Sequence, residues 1–288
     1  MNAFFLRPSQ KWAAFLSVLG PALALATARS QEVATGAITW VPRFTGVDVA
    51  RLEADQPRRL RGVAMRIDLQ AEGISFLATP DNGEKPGETD SQLTTGFLAQ
   101  HKLQAAINAA PFSKVTNDPA TPQDVVGLLI SEGRTVSAAA GMPALIITKD
   151  NKARIASPPI SATDAWNAVG GFSVILRGGE LTHSGDTKLH PRTAAGVSRD
   201  GRHLYWLVVD GRQFAHSGGI TTPEAGFLLR QLGAWDGINL DGGGTTVMAA
   251  ARPDGSPEIL NRPIHGGIPG LERLSGCHLG LRAKPLQP

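Results

Sequence analysis

Asn239-Leu240-Asp241-Gly242-Gly243-Gly244-Thr245-Thr246 sets an amide and a carboxylate two residues apart, then three glycines, then two hydroxyls. Ile238, Leu240 and Val247 around it have strand character, and period-two alternation sends Ile238 and Leu240 to one face and Asn239 and Asp241 to the other. Three consecutive glycines weaken regular structure by their backbone entropy. They suit a sharp bend, or a backbone that a ligand approaches closely. A glycine-rich hairpin with Asp241 in its turn accounts for the same residues, so the stretch alone leaves a structural and a functional reading open.

Working outward, His190-Pro191-Arg192-Thr193-Ala194-Ala195-Gly196-Val197 leads through Asp200-Gly201 to the apolar run Leu204–Val209 and the turn Asp210-Gly211-Arg212. Ser217-Gly218-Gly219-Ile220-Thr221-Thr222-Pro223-Glu224 follows, then the triple-glycine stretch. In that order these segments resemble the phosphodiester glycosidase family. Its pattern is an Arg-Thr-x-x-Gly strand, an Asp-Gly-Arg turn, a Ser-x-Gly-x-Thr entry to a helix bearing Glu, and Asn-Leu-Asp-Gly-Gly-Gly before Ser or Thr. The match is dense from Pro191 to Met248 and diffuse from Leu60 to Gly179. One segment departs. Where the family carries Asn-Gly-Gly-Phe-Phe, this chain has Asn108-Ala109-Ala110-Pro111-Phe112, which implies a narrower or reshaped pocket.

The amino terminus has a secretory pattern over residues 1–28. Arg7 and Lys11 are basic, Trp12–Ala26 is apolar, and Ala26-Thr27-Ala28 fits a cleavage site. The apolar run is short for a membrane span and contains Pro21. Cleavage there leaves a domain expected over 36–285, in the periplasm or outside the cell, without stable membrane insertion. Removing Arg7 and Lys11 takes the formal charge from +3 to +1. With no Lys/Arg cluster, nucleic acid is not an expected partner. The single cysteine, Cys277, cannot close an internal disulfide and reads as a buried small hydrophobe.

From Thr35 onward short apolar runs alternate with turn signals. Strands are expected at Val63–Leu69, Ile74–Thr79, Ala105–Asn108 and Ser173–Leu176. Hairpins are expected around Ser131–Arg134, Lys149–Lys152 and Arg199–Arg202. Ser91–Lys102 reads as a helix capped by Ser91. Pro223–Gln231 reads as a second helix, with a Thr221/Glu224 capping box and Gly233 as a left-handed stop. The fold class is therefore α+β: one strand-rich domain with a mixed or largely antiparallel sheet and a few helices.

The resemblance implies an exported bacterial hydrolase, of a kind associated with exopolysaccharide, that breaks the sugar C–O bond of a glycosyl-1-phosphodiester. On that basis Arg192 and Arg212 are candidate phosphate ligands, since guanidinium forks match phosphate oxygens. Asp241 and Asp210 form the candidate carboxylate pair, with Glu224 a third acid. Asn108 and Asn239 are candidate contacts to sugar hydroxyls or an acetamido group, and Thr193 is a candidate substrate-binding residue. Gly242, Gly243, Gly244 and Thr245 form a candidate anion-binding nest. Structural alternatives stay open: a turn for Asp210, the capping box for Glu224, loop-tying for the asparagines. No cofactor is expected. His183, His190, His203 and His216 lack the spacing of metal ligands, and no Gly-x-Ser-x-Gly elbow exists. Two rival functions remain: a metal-dependent phosphodiesterase using Asp210 and Asp241, and a non-catalytic binder of glycan for exopolysaccharide assembly.

Overall fold

The long strands are apolar at consecutive positions and so have two buried faces, and the architecture follows from covering both. In the computed structural model, which describes residues 35–182 and 185–286, an eight-stranded sheet forms the centre. Its order is Val41–Phe44, Val47–Ala54, Leu60–Asp68, His203–Val209, Arg192–Ser198, Ala234–Asn239, Ser173–Arg177, Glu180–Leu181. A five-stranded sheet contains Ala105–Asn108, Met248–Ala251 and His278–Arg282, and another contains Leu129–Ser131, Ala144–Thr148 and Ala165–Gly170. Every strand pairing is antiparallel.

Contacts divide the chain into Met1–Gln31 and Glu32–Pro288, and all described residues lie in the second unit. The secretory pattern of residues 1–28 falls outside the described residues. No helix among the described residues is long and apolar enough to cross a membrane.

The main core lies between the sheets. Met65, Trp206, Ala195 and Ile238 of the large sheet meet Ile107 and Leu279 of one smaller sheet and Leu145 and Val169 of the other. The outer face of the large sheet, with Ala64, Leu207 and Ala194, is covered by helix α2 (Thr222–Leu232) through Ala225, Leu228, Leu229 and Leu232. Those positions recur at helical spacing and form one stripe. Helix α1 (Thr94–Gln100) covers the far side of a smaller sheet with Phe97 and Leu98. The layers thus run helix, sheet, sheets, helix.

Helix α2 is built as its local sequence requires. Thr221 and Glu224 close the capping box, and Gly233 ends the helix at φ 109°. Replacing Thr221 with Ala leaves the Glu224 amide without its cap, so a loss of about 1 kcal/mol is expected in urea unfolding.

Helix α1 departs from expectation. Its N-cap is Leu93, without a side-chain cap. Ser91 instead donates to the Asp118 carbonyl and accepts from the Thr121 amide, both at 3.1 Å. The first-turn amide of Thr95 is met from far along the chain by Glu272 Oε1 (3.1 Å), while Thr95 Oγ1 donates to Glu272 Oε2 (2.7 Å). Ser91 lies too far upstream to cap a helix that starts at Thr94, and a distant carboxylate serves.

Candidate active site

Four strand ends converge where the large sheet meets the smaller one. Ala194 pairs with Asn239, Arg192 with Val209, and Asn108 with His278. The chain leaving Asn239 is stitched to both sheets. The Leu240 amide donates to Thr193 O (2.9 Å), the Asp241 amide to Ala109 O (2.8 Å), and the Gly243 amide to Pro191 O (2.9 Å). Gly243–Thr245 then forms one turn of 3₁₀ helix. A Cβ on Gly242 would stand 2.8 Å from Pro191 O, so this backbone approach admits only glycine. Gly243 has φ 67°, and a Cβ there would meet the Arg212 guanidinium at 3.2 Å.

Asn108, fully buried, is the knot beneath this turn. Its Oδ1 accepts from Thr193 Oγ1 (2.6 Å) and the Val247 amide (3.2 Å), and its Nδ2 donates to the Asp241 carbonyl (2.7 Å). Both halves of the amide are satisfied by protein, so Asn108 and Thr193 tie the sheets together under the site. The Ala109-Ala110 pair that replaces glycines is packed in the core, both residues at 0 % exposure.

Asp241 accepts from Thr245 Oγ1 (2.7 Å), and Arg273 Nη2 lies 3.8 Å from its Oδ2. Its side chain is 14 % exposed. Burial pushes its carboxyl above the usual carboxylate range, against the pull of Thr245 and Arg273. Arg273 also donates to Gly242 O (3.3 Å) and Thr245 Oγ1 (3.4 Å), and its Nε has no partner. Burial pulls the Arg273 guanidinium down, opposed by Asp241 and reinforced by Arg212. Arg212 (φ 58°) lies over Gly243, and Arg273 lies over Gly244. Two guanidinium groups therefore flank the triple-glycine turn beside a mostly buried carboxylate. Thr246 Oγ1 and Asn239 Oδ1 are buried and unpartnered. The free Arg273 Nε–H and the Thr246 hydroxyl are donors suited to a polyoxyanion, whereas Asn239, opposite Ala194 in the sheet, lies on the α2 face.

Three other sequence candidates, Arg192, Glu224 and Asp210, have side chains held by other partners, though the Arg192 Cα adjoins Gly242 and Asp186 bridges Arg192 to His190. Arg192 is committed to Ile220 O (3.3 Å), Asp186 Oδ2 (3.0 Å) and Lys188 O (3.0 Å), which hold the loop before its strand. Its strand position puts it on the same face as Ala194, toward α2. Glu224 accepts from the Thr221 amide (2.8 Å) and pairs with Arg58.

Asp210 is buried and receives His216 Nε2 (2.8 Å), Asn261 Nδ2 (2.8 Å) and the Arg262 amide (3.0 Å). Burial raises its carboxyl pKa, against the hydrogen bond from His216. Asn261 also donates to Thr246 O (3.0 Å) and so bridges Asp210 to the residue that follows the glycine turn. His190 Nδ1 sits 3.2 Å from Arg212 Nη2 and helps aim it. Among the described residues no three His, Cys, Asp or Glu side chains converge.

Sequence reasoning missed Arg273, Glu272 and Asn261, and weighed His216 only as a metal ligand. Arg273 stands in no motif; only its arrival over Gly244 gives it meaning. Glu272, fastened to α1, holds that segment in place.

A phosphodiester glycosidase family profile matches residues 101–281. The chain belongs to the phosphodiester glycosidase family. Its fold resembles that of the zebrafish N-acetylglucosamine-1-phosphodiester alpha-N-acetylglucosaminidase catalytic domain, a structure auto-inhibited by its pro-peptide. The TM-score is 0.62 at 18 % identity, covering 87 % of this chain and 89 % of that one. A Synechocystis protein of unassigned function matches with TM-score 0.59 at 13 % identity, over 86 % of this chain and 64 % of its own. A Burkholderia pseudomallei K96243 protein matches with TM-score 0.56 at 14 % identity, over 77 % and 74 %. No curated protein matches the chain. Family membership and shared fold agree with a glycosidase of the phosphodiester-cleaving kind.

Proposed function

We propose that this protein is an exported hydrolase that cleaves the sugar C1–O bond of a glycosyl-1-phosphodiester, releasing the sugar and a phosphomonoester. The observation that carries this reading is the pair Arg212 and Arg273 over Gly243 and Gly244, with Asp241 within 4 Å of Arg273. In this reading the two guanidinium groups bind the phosphate. They stabilise the negative charge that builds on it as the C1–O bond breaks. A phosphomonoester leaves more readily than a sugar alcohol, so the site does not depend on a strong general acid.

Asp241 is the group assigned to the anomeric centre, where positive charge develops. Its raised pKa suits a proton acceptor working nearer neutrality than an ordinary aspartate. Asp210 has the different task of fixing the Asn261 loop against Thr246. Arg192 and Glu224 are assigned to the scaffold around the α2 entry.

The test is hydrolysis of a sugar-1-phosphodiester in oxygen-18 water. Label in the released sugar supports C1–O cleavage. Label in the phosphate means the P–O bond breaks, and the protein is then a phosphodiesterase. Tight binding without turnover across a panel of sugars supports the glycan-binding alternative.

A further inference from the structure

Ten large hydrophobic side chains stand exposed among the described residues, and half of them lie on the four loops around the arginine-flanked turn. Phe214 is the extreme case, wholly exposed two residues beyond Arg212. It sits at the tip of a turn closed by Gln213 N to Ser217 O (3.1 Å) and His216 N to Gln213 O (2.8 Å). Gln213 Nε2 anchors that turn to Arg262 O (2.7 Å). Phe214 is therefore held out to solvent by a braced loop.

Leu189 (41 % exposed) precedes His190, which touches Arg212. Ile268 (58 %) belongs to the ribbon Ile264–His265/Ile268–Pro269, whose first strand packs on the Gly243–Thr245 turn. Leu271 (42 %) stands two residues before Arg273. Val115 (56 %) lies on the loop joined to that ribbon by Asn117 Oδ1 and His265 Nε2 at 2.8 Å.

Scattered apolar residues on a surface are ordinary. Here each loop also carries a cation within two residues of an exposed apolar side chain. Lys114 adjoins Val115 and Lys188 adjoins Leu189 in sequence, both lysines exposed, while Arg212 lies two positions before Phe214 and Arg273 two positions after Leu271. Cations at the centre and apolar groups at the rim match a phosphate that carries a hydrocarbon chain. A phosphodiester of two sugars would bring mostly hydroxyls to that rim and gain less from it than a hydrocarbon chain.

We infer that the phosphodiester taken by this site is esterified, on the side away from the sugar, to a lipid alcohol. Its chain lies across the rim made by Leu189, Phe214, Ile268 and Leu271. This inference rests on the phosphodiester reading above and names the class of its second alcohol.

The test uses the full chain and isothermal titration with two sugar-free diesters, methyl butyl phosphate and methyl dodecyl phosphate, below the concentration at which the longer one aggregates. Methyl dodecyl phosphate is expected to bind at least about tenfold more tightly, since only part of the added chain need leave water to reach that ratio. A Phe214→Ser/Ile268→Ser double variant is expected to lose most of that gain and to keep its affinity for methyl butyl phosphate. Equal affinity for the two diesters overturns the inference, and so does a chain-length gain that survives the double substitution. Neither readout requires turnover, so such a result is separate from the fate of the cleavage reaction, which the oxygen-18 experiment decides.

Discussion

Asp241→Asn is expected to lower kcat on a glycosyl-1-phosphodiester by about 10²–10⁴-fold, the range for removing a positioned proton acceptor. It should leave the fold intact, because an amide oxygen can still accept from Thr245 Oγ1, which now stands 2.7 Å from the carboxylate. The sign of the pH effect follows from burial. Folding raises the Asp241 pKa, so the ionised form is the disfavoured one in the folded protein. Its contribution to stability is full below the unfolded aspartate pKa and is lost as pH rises through the raised folded value. The neutral asparagine removes that loss, so the variant's Tm at pH 7 should equal or exceed that of the native protein.

Activity has the opposite dependence. An acceptor must be ionised, so kcat/KM should fall as pH drops through the raised pKa, with an acid limb above the ordinary aspartate range. A variant that keeps native kcat, or a native acid limb at the ordinary aspartate position, would remove Asp241 from the chemistry.

Arg273→Gln is expected to cost about 10²–10³-fold in kcat/KM, the scale for deleting one preorganised donor to developing charge. Arg212→Gln should cost less, because Arg212 is exposed and works through more solvent, whereas the Arg273 side chain is only 16 % exposed. The two losses should not simply add, since both groups act on one phosphate over adjacent glycines.

A second readout separates a functional from a structural role. The Arg273 charge holds the Asp241 pKa down against burial. Removing it should move the acid limb of the pH profile upward. If Arg273→Gln leaves both kcat/KM and the acid limb unchanged, Arg273 is packing and the phosphate pair must be sought elsewhere.

Much of the fold was legible from one-dimensional patterns. Leu204–Val209 is apolar throughout because both faces of its strand are buried, Trp206 toward the main core and Leu207 toward α2. Thr221, Glu224 and Gly233 announce α2 because capping is a local matter of a few adjacent backbone groups. The start of α1 was not legible, since its cap comes from Glu272. The site divides in the same way. Asp241 and the three glycines are visible because a sharp bend demands glycine in the chain itself. Arg192 looks like a phosphate ligand in sequence and lies among Asp186, Lys188 and Ile220 in space, because side-chain face depends on the strand's register.

By itself, then, the sequence determined the strand-rich α+β class, with a mixed or largely antiparallel sheet, the helix α2 and the bend at Gly242–Gly244. Each follows from periodicity or from backbone conformation within a few residues. Tertiary structure decided which arginines reach that bend. Arg273 arrives there because Glu272 is fastened to α1 and the neighbouring Ser275 bridges to Gln92. Those contacts join segments about 180 residues apart, and no local pattern encodes a meeting that only the packing of two sheets brings about.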